Sequence, residues 1–249
     1  MSYAPANLTI VLYDQFLQET WLDETAPRQG YPYDLPVVDA LRGHPLRFHP
    51  QVTYLIGENG TGKSTLLEAM AVVLGFNPEG GTRNLRFSTQ DTHSALGDHL
   101  RVAKGKRAHR GFFFRAESFY NVATAIDEIG VAEYYGDRSL HAQSHGEAFL
   151  SLARTQFGND GLFLLDEPEA ALSPGRQLNI LSLLHQSVGA GSQYVIATHS
   201  PILMAYPNAW IYALTGSGLE RIAYDDTEHV QITRNFLASP ARMLRYLFE

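Results

Sequence analysis

Nine consecutive residues, Gly57-Glu58-Asn59-Gly60-Thr61-Gly62-Lys63-Ser64-Thr65, combine the residue types needed to hold a chain of phosphates. A glycine, four residues, then Gly-Lys-Ser is the spacing of a phosphate loop. Glycines let the backbone curl until successive N–H groups converge on an anion, and a helix starting there adds its partial positive charge. Lys63 would neutralise the β and γ oxygens of a nucleotide, and Ser64 offers a hydroxyl to Mg²⁺, a hard cation that prefers oxygen ligands. A second group of reactive types is Gly161-Leu162-Phe163-Leu164-Leu165-Asp166-Glu167-Pro168, with two carboxylates where an apolar run stops. Asp166 can reach the Mg²⁺ shell, while Glu167 can accept a proton from an attacking water or hold it in line with the γ-phosphate. A third, Ala197-Thr198-His199-Ser200-Pro201, again places polar groups after an apolar run, with His199 to contact the γ-phosphate and orient the water. A fourth, His141-Ala142-Gln143-Ser144-His145-Gly146-Glu147, puts a hydroxyl and free backbone N–H groups at the start of a helical pattern, a second anion-binding surface.

These groups work only if strands and helices deliver them to one place. Val52, Tyr54, Leu55 and Ile56 predict a strand that stops at Gly57, and Ser64–Leu74 predicts a helix ended by Gly75 and Pro78, so the phosphate loop lies in a strand–loop–helix unit. Leu162–Leu165 and Tyr194–Ala197 are short uninterrupted apolar runs, the pattern of strands buried on both faces of a parallel sheet, with a helix over Gln177–Leu184 between them. Both carboxylates and His199 then sit at strand carboxyl ends, where α/β sheets bind ligands. Leu8–Tyr13 is a further apolar stretch, Phe112–Phe114 suggests another strand, and Phe119–Tyr135 carries apolar residues at helical spacing, predicting a small lobe. Phe236, Leu237, Met243, Leu244, Tyr246 and Leu247, around Pro240, predict a C-terminal helix packed on the core.

The chain has 249 residues, 45% of them apolar, enough for one sizeable α/β domain or one domain with a smaller lobe. Its net charge of −7 argues against a general attraction to nucleic acid or an anionic membrane, so such a contact must be a local patch. Cysteine is absent, which excludes a disulfide framework, a thiolate metal site and a thiol nucleophile, and fits a reducing cytosol. Met1–Phe16 has no basic region followed by an apolar run, and nowhere do about 18 apolar residues follow one another, so a soluble, cytoplasmic protein is expected.

The order of the motifs, phosphate loop, Ser-His-Gly-Glu, Leu-Leu-Asp-Glu-Pro, Thr-His-Ser, resembles the ABC ATPase superfamily over nearly the whole chain. The resemblance implies a P-loop NTPase core with a mainly parallel sheet, an antiparallel β part and a small helical lobe. One domain over 1–249 is expected, with the core lobe near 1–115 and 150–249 and the helical lobe near 116–149. It further implies an ATPase working with Mg²⁺ as a head-to-tail homodimer, in which Ser144, His145, Gly146 and Glu147 of one copy close on the γ-phosphate held by the other copy's phosphate loop. Ala171-Leu172-Ser173-Pro174-Gly175-Arg176-Gln177 looks like the family's D-loop without its usual Leu-Asp ending. Glu147 replaces the signature glutamine, and Phe114-Arg115-Ala116-Glu117-Ser118 stands where transporters usually carry a glutamine. Within the superfamily the chain is most similar to small stand-alone ATPases near the SMC and RecF-like branch, but Phe76–Gln143 is too short, and lacks the sustained heptads, for a long coiled-coil arm.

What the ATPase drives stays open between classes. One reading is a switch or motor acting on nucleic acid or a nuclease-type partner, for repair or defence; its local support is Arg101, Lys104, Lys106, Arg107, His109 and Arg110. The same residues read more readily as a solvated hairpin tip than as a nucleic-acid patch, since Lys104-Gly105-Lys106 suits a turn between two strands. The other readings are the ATP-hydrolysing subunit of a membrane transporter, against which the missing glutamine argues, and an ATP-gated module that recruits a partner protein. As an aromatic does in many members of the family it resembles, Tyr31, Tyr33 or Phe48 could stack on the adenine, and spacing does not choose among them.

Overall fold

The computed structural model describes residues 15–83, 94–130 and 140–249. The apolar stretch Leu8–Tyr13 and positions 131–135 of the expected middle helix lie outside the described residues.

Among the described residues ten strands are formed: β1 Leu17–Leu22, β2 Leu46–Arg47, β3 Val52–Ile56, β4 Gly81–Thr82, β5 Leu100–Lys104, β6 Arg110–Arg115, β7 Gly161–Asp166, β8 Gln193–Ala197, β9 Trp210–Thr215 and β10 Gly218–Ile222. The helices that matter here are α1 Lys63–Val73, α2 Phe119–Ile129, α3 His145–Gln156, α4 Pro174–Gly189, α5 Glu228–Ala238 and α6 Pro240–Phe248. Seven strands build one sheet in the order β10-β9-β3-β8-β7-β6-β4, whose inner pairs are parallel and whose two edge strands, β10 and β4, run antiparallel. The remaining three form an antiparallel sheet, β2-β1-β5. The protein is a mixed α/β fold with a mainly parallel sheet.

The apolar runs are continuous because both faces of the large sheet are covered. Tyr54, Phe112, Phe114, Phe163, Leu165, Tyr194 and Ile196 point to one face, against Ile126 of α2, Phe149 and Leu152 of α3, and Ile180 and Leu184 of α4. The intervening Leu55, Phe113, Leu162, Leu164, Val195 and Ala197 point to the other, against Leu66, Leu67 and Met70 of α1 and the small sheet's Leu17, Leu22, Leu46 and Leu100. The period of two within each strand therefore sorts one apolar run into two cores. Gln193 ties the sheets together: its side chain accepts from the amides of Phe16 and Leu17 and donates to the carbonyls of Leu17 and His49.

Two expectations are corrected. Lys104–Lys106 is not a hairpin tip, because β5 pairs with β1 in the small sheet while β6 belongs to the large one. The turn passes between sheets, and Lys106 reaches Asp160 at 3.2 Å while Arg101 reaches Asp23 at 3.0 Å. The C-terminal residues form two helices, not one, restarting at Pro240, and α6 buries none of its residues. Tyr246, Leu247 and Phe248 are exposed, so α6 does not pack on the core as expected; α5 is anchored instead by the buried Val230.

Candidate nucleotide site

The loop between β3 and α1 curls because its glycines allow it. Gly62, at φ 94°, begins α1, and a Cβ there would come within 2.8 Å of Val37 Cγ1, so the left-handed backbone and the space both require glycine. Thr61 bonds back to the Glu58 carbonyl through Oγ1 at 2.8 Å. Lys63 is almost fully buried, and its Nζ donates to the carbonyls of Gly57 at 2.7 Å and Glu58 at 2.9 Å. Burial lowers its pKa, against the pull of the Glu167 and Asp166 carboxylates.

Strand β7 is paired on both sides, which places its last residue beside that loop. Asp166 Oδ1 accepts a hydrogen bond of 3.0 Å from Ser64 Oγ. Burial raises the Asp166 carboxyl to about 6, opposed by the Ser64 hydroxyl and by Arg115, whose Nε lies 3.8 Å from Oδ2. Arg115 is itself held by Glu68 at 2.6 Å and Glu117 at 3.2 Å, so the segment expected at the transporter-glutamine position carries a paired arginine. A hydroxyl and a carboxylate oxygen at this separation form a hard-donor set suited to Mg²⁺, which is usually held by one or two carboxylates together with substrate phosphates.

The next residue leaves the strand. Glu167 takes φ 49° and ψ 52°, a left-handed conformation that costs a non-glycine residue about 1–2 kcal/mol, and its amide bonds to the Ala197 carbonyl at the end of β8. That turn sends its carboxylate away from Asp166 toward His199, whose Nε2 lies 3.7 Å from Glu167 Oε1. The His199 peptide is fixed by a 2.6 Å bond from its N–H to the carboxylate of Glu169. Burial raises Glu169 and lowers His199, the latter helped by the Lys63 charge. His199 Nδ1 meets Nε2 of His229 at 3.1 Å.

Two adjoining clefts open at these residues. One, of about 340 Å³, is lined by Ser64, Ala116, Glu117, Asp166, Glu167 and Ala170. The other, of about 180 Å³, is lined by Tyr31, Leu35, Asn59, Gly60, Gly62, Lys63, Ser64, Thr65 and Glu167. Of the aromatic residues considered for the adenine, Tyr33 and Phe48 are buried, at 6% and 2% exposure, whereas Tyr31 is 73% exposed and its hydroxyl lies 3.2 Å from Thr65 Oγ1.

Ser144, His145, Gly146 and Glu147 line neither cleft. Ser144 precedes α3, and its amide and hydroxyl both donate to Glu147 Oε2, at 3.2 and 2.7 Å. Arg176 of α4 adds a 3.2 Å contact to Glu147 Oε1, joining this motif to the D-loop-like segment. Gly146 is required there, since a Cβ would meet Ala171 O and Arg176 Nη1, each at 2.6 Å. The Ser144 hydroxyl, expected in an anion-binding surface, is thus engaged by its own chain's carboxylate, because glutamate at this position reaches back to the helix start.

Lys63, Ser64, Asp166, Glu167 and His199 come together as the spacing predicts, while the Ser144–Glu147 motif stands apart from them. His229, Glu169 and the Arg115 and Arg176 ion pairs were not anticipated. For His229 the one sequence signal is Thr227, which caps α5 and marks a helix start but not what its first turn faces.

The sequence profile of a family described as AAA domain matches residues 39–187. The macrolide export ATP-binding/permease protein MacB of Escherichia coli (strain K12) is 27% identical over 204 residues, covering 72% of this chain and 31% of that protein. The pyoverdine export ATP-binding/permease protein PvdT of Pseudomonas entomophila (strain L48) is 26% identical over 192 residues, covering 67% and 28%. The chain thus spans about a third of the length of the curated relatives it matches. Among solved structures, cbiO1 from Clostridium perfringens, part of the ABC transporter complex cbiONQ, aligns with a TM-score of 0.48 at 17% identity, covering 94% of this chain and 100% of that one. The SMC head domain from Thermotoga maritima aligns with a TM-score of 0.45 at 15% identity, covering 84% and 98%.

Proposed function

The chain belongs to the AAA domain family, and from that premise we propose that its phosphate-loop core is an ATPase of the ABC and SMC branch, in which two copies sandwich ATP between them and hydrolyse it as a switch. The observation that carries this reading is the separation of the two anion-binding surfaces. Ser64, Asp166 and Glu167 share clefts with the phosphate loop, whereas Ser144 and Gly146 line neither, so a phosphate seated on Lys63 lacks the second surface unless another copy supplies it.

In this reading the phosphate loop binds the triphosphate through its amides and Lys63, and Tyr31, exposed beside Thr65, stacks on the base. Ser64 and Asp166 would hold Mg²⁺, which when bound offsets charge on the β and γ oxygens. Glu167 accepts the proton of the attacking water and His199 orients it, while Ser144 and Gly146 of the second copy add donors to the γ-phosphate. Loss of that phosphate removes what joins the copies, and the pair loosens.

The action passed to a partner has two readings. A nucleic-acid role draws on Lys104, Arg107, His109 and Arg110, which remain exposed after ion pairs occupy Arg101 and Lys106. A membrane-subunit role draws on the relatives, which are export ATP-binding/permease proteins. Among the described residues no helix is long and apolar enough to cross a membrane, so such a subunit would come from outside them.

Sedimentation of Glu167→Gln tests the reading. With MgATP it is expected to sediment as a dimer and turn over ATP about a thousandfold more slowly than wild type; wild-type turnover removes Glu167 from its role, and a monomer at saturating MgATP removes the shared site. Added DNA over a salt series separates the partner classes: DNA that travels with the dimer and is released by salt supports the nucleic-acid role, and a dimer indifferent to DNA turns the search to a membrane or protein partner.

A further inference from the structure

The first turn of α5 delivers a second imidazole to the back of His199. Thr227, fully buried, accepts from the Val230 amide and donates to the Tyr224 carbonyl, so this helix start is tied down at both ends of its cap. His229 follows, with Nε2 3.1 Å from His199 Nδ1. Neither His199 Nε2 nor His229 Nδ1 has a hydrogen-bond partner, and both are shielded from water.

Two neutral imidazoles share one hydrogen bond in only two ways. If His199 Nδ1–H donated to His229, the bare lone pair of His199 Nε2 would face the Glu167 carboxylate, a repulsive arrangement. If His229 Nε2–H donates, His199 carries its proton on Nε2, turned toward Glu167 at 3.7 Å. Burial lowers the pKa of both rings, and the Lys63 charge adds to this at His199, so the neutral pair is the relevant one.

We infer that His229 is a positioning residue of the hydrolytic site: its Nε2–H donates to His199 Nδ1 and holds that ring as the Nε2–H tautomer, directed at Glu167 and the bound nucleotide. The inference rests on the reading of His199 and Glu167 given under the proposed function. A second ring that fixes the tautomer of the first acts as the orienting partners of catalytic and metal-bound histidines do. It leaves substrate binding alone and acts on the step that uses the His199 proton.

The test uses the full chain and the variants His229→Ala and His229→Gln. Long-range ¹H–¹⁵N correlation of the histidine ring nitrogens, with His199 assigned through His199→Gln, is expected to show wild-type His199 protonated on Nε2. In His229→Ala that signal shifts toward the Nδ1–H form, kcat falls about tenfold or more, and KM for MgATP stays within about twofold. Glutamine, whose amide N–H reaches the place of Nε2, restores most of both readouts. An Nδ1–H ring in the wild type overturns the inference, and so does His229→Ala with wild-type kcat and wild-type ring signals. The wild-type spectrum decides even if the alanine variant does not fold. If the wild type binds ATP without hydrolysing it, the hydrolytic reading falls on its own, and the ring spectra still decide whether His229 sets the tautomer.

Discussion

Ser64 Oγ donates to Asp166 Oδ1 at 3.0 Å, joining the first turn of α1 to the end of β7 across 102 residues of chain. The pair is assembled by the parallel registry of the sheet and not by any local turn, and it lies beside Lys63. Since both oxygens suit the same hard cation, their roles can be separated from phosphate binding by Ser64→Ala. ATP affinity measured calorimetrically in EDTA should match wild type, while the gain on adding Mg²⁺ should shrink about tenfold. An unchanged Mg²⁺ gain would take Ser64 out of the cation's shell.

Tyr31, Tyr33 and Phe48 should separate cleanly. Tyr31→Ala, at a residue 73% exposed, is expected to leave thermal stability within about 0.5 kcal/mol of wild type and to raise KM for ATP several-fold. Phe48→Ala, in the core, should cost about 3–5 kcal/mol in a denaturant titration, with little selective effect on nucleotide. A nucleotide-selective loss at Phe48 instead of Tyr31 would reassign the stacking residue.

Glu147 is held ionised below the usual carboxylate range, first by the Ser144 hydroxyl and amide, then by Arg176. A negative charge then stands where the signature would meet a partner's γ-phosphate. Glu147→Gln, made in the Glu167→Gln background, should therefore tighten the MgATP-dependent dimer by about five- to tenfold in sedimentation equilibrium, since like charges oppose each other across an interface. A weaker dimer would mean that the carboxylate's hold on Ser144 and Arg176 is worth more to the interface than its charge costs.

A pH dependence follows from His49, far from the nucleotide. Its Nδ1 accepts from the amides of Gln51 at 3.1 Å and Val52 at 3.3 Å, which only an unprotonated ring can do. Burial, and then Arg221, lower its pKa. A base depressed in the folded state contributes stability that is present above its unfolded pKa, about 6.5, and is lost as pH falls below it. His49→Asn keeps an acceptor near Nδ1 but does not titrate, so wild type should lose more Tm between pH 7.5 and 5.5 than the variant, by a few °C. Parallel losses in the two proteins would remove His49 as the source.

Much of the nucleotide site was legible because its pieces are local. Gly57–Thr65 has to curl and then start a helix, and Asp166 and His199 follow apolar runs whose length and composition already mark buried strands. What those runs share with neighbours across the sheet is not local. The basic residues near 101–110 read as one hairpin until β5 paired with β1, some 80 residues earlier, and left β6 to the other sheet. The C-terminal apolar residues read as a core helix by periodicity alone, yet α6 buries none of its residues, and α5 makes its buried contact through Val230.

By itself, then, the sequence determined the phosphate loop, the strand-end carboxylates, the mixed α/β class and the order of the motifs, all of them consequences of residue type at short spacing. Tertiary structure alone decided which aromatic stands open beside the loop, that Glu147 and Arg176 engage the signature serine, and that His229 meets His199. Those outcomes depend on where separate elements come to rest against one another, and a contact between side chains 30 residues apart leaves no periodicity or spacing behind it in the chain.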